Sequence, residues 1–170
     1  MDEKGCVIAM GMFDGLHRGH RAVLNACKSL AESLNRPSAV YTFIENPKTL
    51  FGGIPFELQS FEEKVSGIKA LGINHVFSEH FTYELAKVPA NEFLKRFVKR
   101  YEPSGIVAGA DYTFGDRAAG SADMLKSFCD ESGIACVIIP LVTEGGEKIS
   151  STRIRAAIKS GDTLSLDKIK

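Results

Sequence analysis

The chain has 170 residues, 44% hydrophobic and 25% charged, the balance of one soluble globular domain long enough to bury a core. Lys plus Arg and Asp plus Glu both total 21, a formal net charge of zero, which excludes a strongly basic nucleic-acid binder or a cationic membrane-surface protein. No apolar run approaches the roughly 20 residues of a membrane span, and the start Met1-Asp2-Glu3-Lys4 has no signal-peptide core, so a cytoplasmic location is expected.

The first element is the apolar run Cys6-Val7-Ile8-Ala9-Met10, a strand over 6–10. It breaks into Gly11-Met12-Phe13-Asp14-Gly15-Leu16-His17-Arg18-Gly19-His20, after which amphipathic spacing predicts a helix over 17–34. A strand, a glycine-rich turn and a helix start present backbone N–H groups and a positive helix end to an anion. Gly11, Gly15 and Gly19 leave room for a ligand near the backbone. His17 and His20, three residues apart, share one side of the helix start and can donate ring N–H bonds to phosphate oxygens; as imidazolium they would stabilise a pentavalent phosphorus. The plain alternative makes them polar caps on the turn. The loop is neither a Walker A sequence nor a G-x-G-x-x-G fingerprint.

A second strand is predicted over 38–44, followed by Glu45-Asn46-Pro47-Lys48-Thr49-Leu50-Phe51, where Phe43 and Phe51 could wall a flat ring or pack in the core. Ser60 with Glu63 reads as a capping box opening a helix over 61–71, and Gly72 stands where a left-handed cap is expected before a strand over 73–77. His75 and His80 read as structural or solvated. Pro89 suits the first turn of a helix over 89–101, whose buried side is Phe93, Leu94, Phe97 and Val98; Lys95, Arg96, Lys99 and Arg100 form its wet face.

A strand over 105–109 leads to Gly109-Ala110-Asp111-Tyr112-Thr113-Phe114-Gly115-Asp116-Arg117, which could hold a planar ligand or form a hairpin-like turn. A helix over 119–132, the cap Gly133 and a strand over 134–139 follow. Near the end, Lys148-Ile149-Ser150-Ser151-Thr152-Arg153-Ile154-Arg155 opens a helix over 151–160. Arginines in a first turn oppose the helix dipole, and an anion at that helix end would reverse the sign. Asp162 to Lys170 is polar and weakly patterned, a fraying tail. The cysteines Cys6, Cys27, Cys129 and Cys136 have no C-x-x-C or zinc spacing and read as small buried hydrophobes. The β–α alternation with uninterrupted apolar strands predicts an α/β, Rossmann-like, doubly wound parallel sheet in a single domain, with ligands outside the carboxyl ends of the strands.

Gly11 to His20 resembles the G-x-F-D-G-x-H-x-G-H signature of the bacterial FAD synthetases, a branch of the HxGH nucleotidyltransferase superfamily. Thr42-Phe43 with Pro47, Gly109 to Gly120, and Ile149 to Arg155 are similar to three further motifs of that family, in its order. The resemblance implies a nucleotidyltransferase fold over 1–160 with a tail over 161–170. It implies transfer of AMP from ATP to FMN with Mg²⁺, by in-line attack of the FMN phosphate on the α-phosphorus. His17, His20 and Arg155 would be catalytic. Gly11, Phe13, Asp14, Gly19, Ser151 and Thr152 would join them around ATP, and Phe43, Asn46, Pro47, Phe51, Asp111 and Phe114 would contact the flavin. No metal ligand is assigned. Ile44, Glu45 and Asn46 depart from the family pattern, which leaves two alternatives: another phosphorylated acceptor, such as pantetheine phosphate or nicotinamide mononucleotide, or a non-catalytic nucleotide- or flavin-binding protein. The G-x-P-T-A-N signature of a riboflavin kinase module is absent, so the expectation is an adenylyltransferase without that module, free-standing or truncated, with small-molecule partners and no nucleic-acid or membrane partner.

Overall fold

The apolar runs of the sequence become the strands of one parallel sheet in the computed structural model, which describes residues 4–53 and 56–169. Met1 to Glu3 of the charged start and Lys170 lie outside the described residues. In chain order the elements are β1 (Val7–Met10), α1 (Arg18–Ser33), β2 (Ser38–Phe43), α2 (Pro47–Leu50), α3 (Phe61–Ala70), β3 (His75–Glu79), α4 (Tyr83–Ala86), α5 (Ala90–Tyr101), β4 (Gly105–Gly109), β5 (Thr113–Phe114), β6 (Gly120–Ser121), α6 (Ala122–Ser132), β7 (Ala135–Ile139), β8 (Thr143–Glu144), β9 (Glu147–Lys148), α7 (Ser151–Ser160) and α8 (Thr163–Ile169).

The main sheet has the order β3-β2-β1-β4-β7, all parallel. Strand alternation sends its side chains to two cores. Ile8, Met10, Tyr41, Phe77, Ile106 and Ala108 meet Phe93, Leu94, Phe97 and Tyr101 of α5 and Leu125 and Cys129 of α6. Val7, Ala9, Val40 and Val107 meet Val23, Leu24, Cys27 and Ala31 of α1 and Ile68 of α3 on the opposite face. Each large aliphatic side chain fully buried this way stabilises the fold by about 1.5–3 kcal/mol. The doubly wound α/β arrangement expected from the alternation is the one observed. The chain builds outward through β2 and β3, then returns to β4 on the far side of β1, so the strand order reverses between the carboxyl ends of β1 and β4. A crevice opens there.

Most predicted boundaries hold within two residues. The third strand begins at His75 rather than Ile73, because Ile73 buries itself beside Ile68 in the turn before it. The helix predicted over 119–132 begins at Ala122: Gly120 and Ser121 pair with Phe114 and Thr113 as an antiparallel ribbon, and the Ser121 hydroxyl caps α6 by accepting from the Met124 N–H at 3.2 Å. Pro89 stands at the cap position of α5, one residue before its first turn. The Ser60–Glu63 capping box is present, with both hydrogen bonds made. The 163–169 stretch of the expected tail is helical and packs on α7, with Leu166 against Ile149 and Ile154. No described helix is long and apolar enough to cross a membrane.

Candidate active site

The β1–α1 loop is shaped by backbone conformations that few side chains adopt. Phe13 and Leu16 have φ of 53° and 42°, both left-handed, a cost sustained only where surrounding contacts fix the turn. Phe13 is buried in the α1-side core, and its carbonyl accepts from the Gln59 side chain at 2.9 Å. Asp14 is buried; one carboxylate oxygen accepts from the Leu58 N–H at 3.0 Å and the other meets the Arg155 guanidinium. Burial pushes the Asp14 carboxyl up, while the Leu58 N–H and Arg155 hold it down.

His17 is the N-cap of α1. Its Nδ1 accepts from the His20 backbone N–H at 3.3 Å, which leaves the neutral ring's proton on Nε2. The two imidazoles stack with centroids 3.6 Å apart. The plain reading of a capping histidine is therefore true of His17, which also lines the crevice. Burial lowers the His17 pKa to about 4 and drives that of His20 well below the ordinary value. Burial thus favours the neutral form of both rings at neutral pH in the protein alone. His20 Nδ1 is buried with no hydrogen-bond partner, a desolvated atom whose cost a ligand can remove.

The second helix end comes from α7. Ser150 caps it, accepting from the Arg153 N–H at 3.2 Å, and the Ser151 hydroxyl donates to the Asp14 carbonyl at 2.8 Å. Gly19 lies close to the Ile149 carbonyl; a Cβ there would sit 3.9 Å from it. The amino ends of α1 and α7 thus meet along one seam. Arg155 commits Nε to the Phe56 carbonyl at 2.7 Å and Nη2 to Asp14, so its charge is already shared with a carboxylate. Arg153 instead braces the β8–β9 hairpin through the Glu144 and Glu147 carbonyls.

The crevice has a volume of about 1220 Å³, and every residue expected to contact nucleotide or flavin lines it. Gly11, Phe13, Asp14, His17, Gly19, His20, Ser151, Thr152 and Arg155 form the helix-end wall. Phe43, Asn46, Pro47, Phe51, Asp111 and Phe114 lie on the remaining walls. Asn46 is buried and caps α2, its side chain accepting from the Lys48 N–H at 3.1 Å. Phe43 meets Phe81 edge-on with centroids 5.0 Å apart, and Phe51, 64% exposed, meets Tyr83 in the same way at 6.1 Å. Phe114 packs into the α5-side core, and Asp111 is paired with Lys148. Ile44 extends the β2–β3 pairing through its N–H, while Glu45 turns outward to His80 at 2.7 Å.

Sequence reasoning missed Phe81 and Tyr83 as crevice residues. Phe81 and Tyr83 sit in a connection whose proximity to β2 only the strand order reveals. Among the described residues no group of three or more His, Cys, Asp or Glu side chains could hold a metal ion.

The sequence matches the family described as FAD synthetase over residues 1–153. It is similar to the bifunctional riboflavin kinase/FMN adenylyltransferase of Escherichia coli strain K12, with 32% identity over 167 residues, covering 96% of this chain and 53% of that protein. It is also similar to the protein of the same name from Listeria monocytogenes, 30% identical and covering 92% of this chain and 50% of that one. The chain spans about half the length of these curated relatives. A solved structure described as that of a macrolide-efflux protein from Streptococcus pneumoniae superposes with a TM-score of 0.79 at 32% identity, covering 91% of this chain and 51% of that one.

Proposed function

Because the chain belongs to the FAD synthetase family, we propose that it transfers AMP from ATP to FMN, forming FAD and pyrophosphate. The observation that carries this reading is the seam of two helix amino ends, bearing the unpartnered His20 Nδ1, on one crevice whose other walls carry several aromatic rings. Helix ends and neutral imidazole N–H groups suit a triphosphate, and aromatic faces suit a flavin ring.

In this reading ATP lies along the seam, with Gly11, Phe13, Asp14 and Gly19 around the nucleotide. His17 and His20 donate to phosphate oxygens, and Ser151, Thr152 and Arg155 hold the β- and γ-phosphates. Phe43, Asn46, Pro47, Phe51, Asp111 and Phe114 hold FMN. An FMN phosphate oxygen attacks the α-phosphorus in line. The new P–O bond forms as the bond to the bridging oxygen of the β-phosphate breaks, and pyrophosphate leaves with that electron pair. No covalent enzyme intermediate is involved; positioning and donors aimed at the phosphoryl oxygens supply the rate. Mg²⁺ bound to the ATP phosphates would supply charge neutralisation. Small-molecule substrates fit a cytoplasmic setting.

The test is to incubate the purified chain with ATP, Mg²⁺ and FMN and follow FAD and pyrophosphate chromatographically. Equimolar FAD and pyrophosphate are expected, and His20→Ala should lower kcat by about 10²-fold, the scale of one lost transition-state donor. Pyrophosphate release only with another phosphorylated acceptor would replace FMN in this reading. ATP binding without turnover on any acceptor would overturn it.

A further inference from the structure

Lys64 is the buried charge that the proposed chemistry does not use. It sits on α3, is 3% exposed, and does not line the crevice. Its ammonium carries three protons and faces three oxygens: the Phe43 carbonyl at 2.8 Å, the Met12 carbonyl at 3.4 Å and the Thr42 hydroxyl at 3.5 Å. That hydroxyl in turn donates to the Met12 carbonyl at 3.1 Å. Met12 belongs to the loop leading to His17 and His20, whereas Phe43 ends β2 just before Asn46 and Pro47. One side chain therefore joins the backbone leaving β1 to the backbone leaving β2.

A buried lysine is unfavourable unless its donors are satisfied. Burial lowers its pKa to about 8, and the carboxylates of Asp14, Glu57 and Glu45 oppose the fall. The Phe61 ring lies 5.4 Å from Nζ. In sequence Lys64 follows the capping box of an amphipathic helix, where lysine ordinarily faces water; the fold turns it inward beneath the site.

We propose that Lys64 is a positioning residue for adenylyl transfer, fixing the nucleotide-side loop and the acceptor-side strand end at one spacing. This inference rests on the function proposed above. A residue that only stabilised the fold would lower the melting point without changing turnover per folded molecule. A spacer between two substrate walls would change turnover itself, because displacing reacting groups by about 1 Å can cost 10²-fold.

The experiment compares wild type with Lys64→Met, which retains most of the apolar stem and removes the donors. The readouts are kcat per folded molecule, KM for ATP and FMN, and hydrogen–deuterium exchange. The expected result is a kcat about 30-fold lower with both KM values changed less than about fivefold, and faster exchange confined to segments 11–16 and 43–49. A kcat within twofold of wild type, or unchanged exchange in both segments, overturns the proposal. If Lys64→Met does not fold, Thr42→Val carries the test: a several-fold lower kcat with the same two segments loosened supports it, and wild-type values overturn it. Should the wild type itself make no FAD, adenylyl transfer to FMN fails as the function; the exchange comparison then decides separately whether Lys64 joins the two segments.

Discussion

At the scale of single residues, the two histidines show how burial sets charge. His17 accepts from the His20 N–H at 3.3 Å and is held neutral, with a pKa of about 4 against 6.5 for an exposed imidazole. A group whose folded pKa is depressed takes up its proton more readily when unfolded, so acid favours the unfolded chain. Stability from His17 is complete above the unfolded pKa of 6.5 and is lost as pH falls from there toward 4. By pH 5 the loss is about 2 kcal/mol from this residue alone, and His20, shifted in the same direction, adds to it. Urea denaturation at pH 7 and pH 5 should show that drop, reduced in His17→Asn; equal pH dependence in both proteins would remove His17 as its source. The glycine-rich turn between β1 and α1, with its two histidines beside a crevice, was legible in sequence. Their neutrality was not, because it depends on how Phe13 and α1 close over the rings.

Among the elements, the short ones carry the walls of the crevice. The turn of the β5–β6 ribbon is docked on the segment that leads into α5 through the Asp116 N–H, which donates to the Val88 carbonyl at 2.7 Å. Gly115 makes that docking possible: its φ is +75°, and a Cβ there would lie 2.5 Å from the Ala90 Cα. The obstacle is backbone, which cannot rotate aside. Gly115→Ala should therefore lift the ribbon from α5, costing about 2–4 kcal/mol from strain and displaced packing. Thermal denaturation with crystallography of the variant would check it, and a melting point within 2 °C of wild type (roughly 1 kcal/mol or less) would show that the contact yields. The five main strands and five long helices were legible because apolar periods of 2 and 3.6 persist over several residues. Strands of two residues such as β5 and β6, and single-turn helices such as α2 and α4, are too short to display a period. They form because the flanking long elements bring their ends together. The 163–169 helix escaped notice for a related reason: among its described side chains, Leu166 is the one packed into a hydrophobic cluster.

For the whole molecule, one buried ion pair ties the beginning of the chain to its end. Asp14 leaves β1, Arg155 lies on α7, and 141 positions separate them. Both are buried, and around them the Ser151 hydroxyl bonds the Asp14 carbonyl and the Arg155 Nε bonds the Phe56 carbonyl. No sequence pattern announces such a pair, since each residue alone resembles a ligand contact. Only the return of the chain across the switch point sets the two face to face. Removing either partner should strand a buried charge and cost about 3–5 kcal/mol, or roughly 6–20 °C in melting temperature for a chain of this size. Asp14→Ala exposes the penalty on the guanidinium and Arg155→Met exposes it on the carboxylate, whose ionised form burial already disfavours. The double variant strands neither, so its loss should fall short of the summed single losses by about 1–3 kcal/mol. Urea midpoints of the four proteins, taken at constant pH and salt, measure that difference. Strict additivity would mean that each residue is held by its own neighbours, and that the seam between α1 and α7 rests on Ser151 and the packing of Ile149 and Ile154 rather than on the pair.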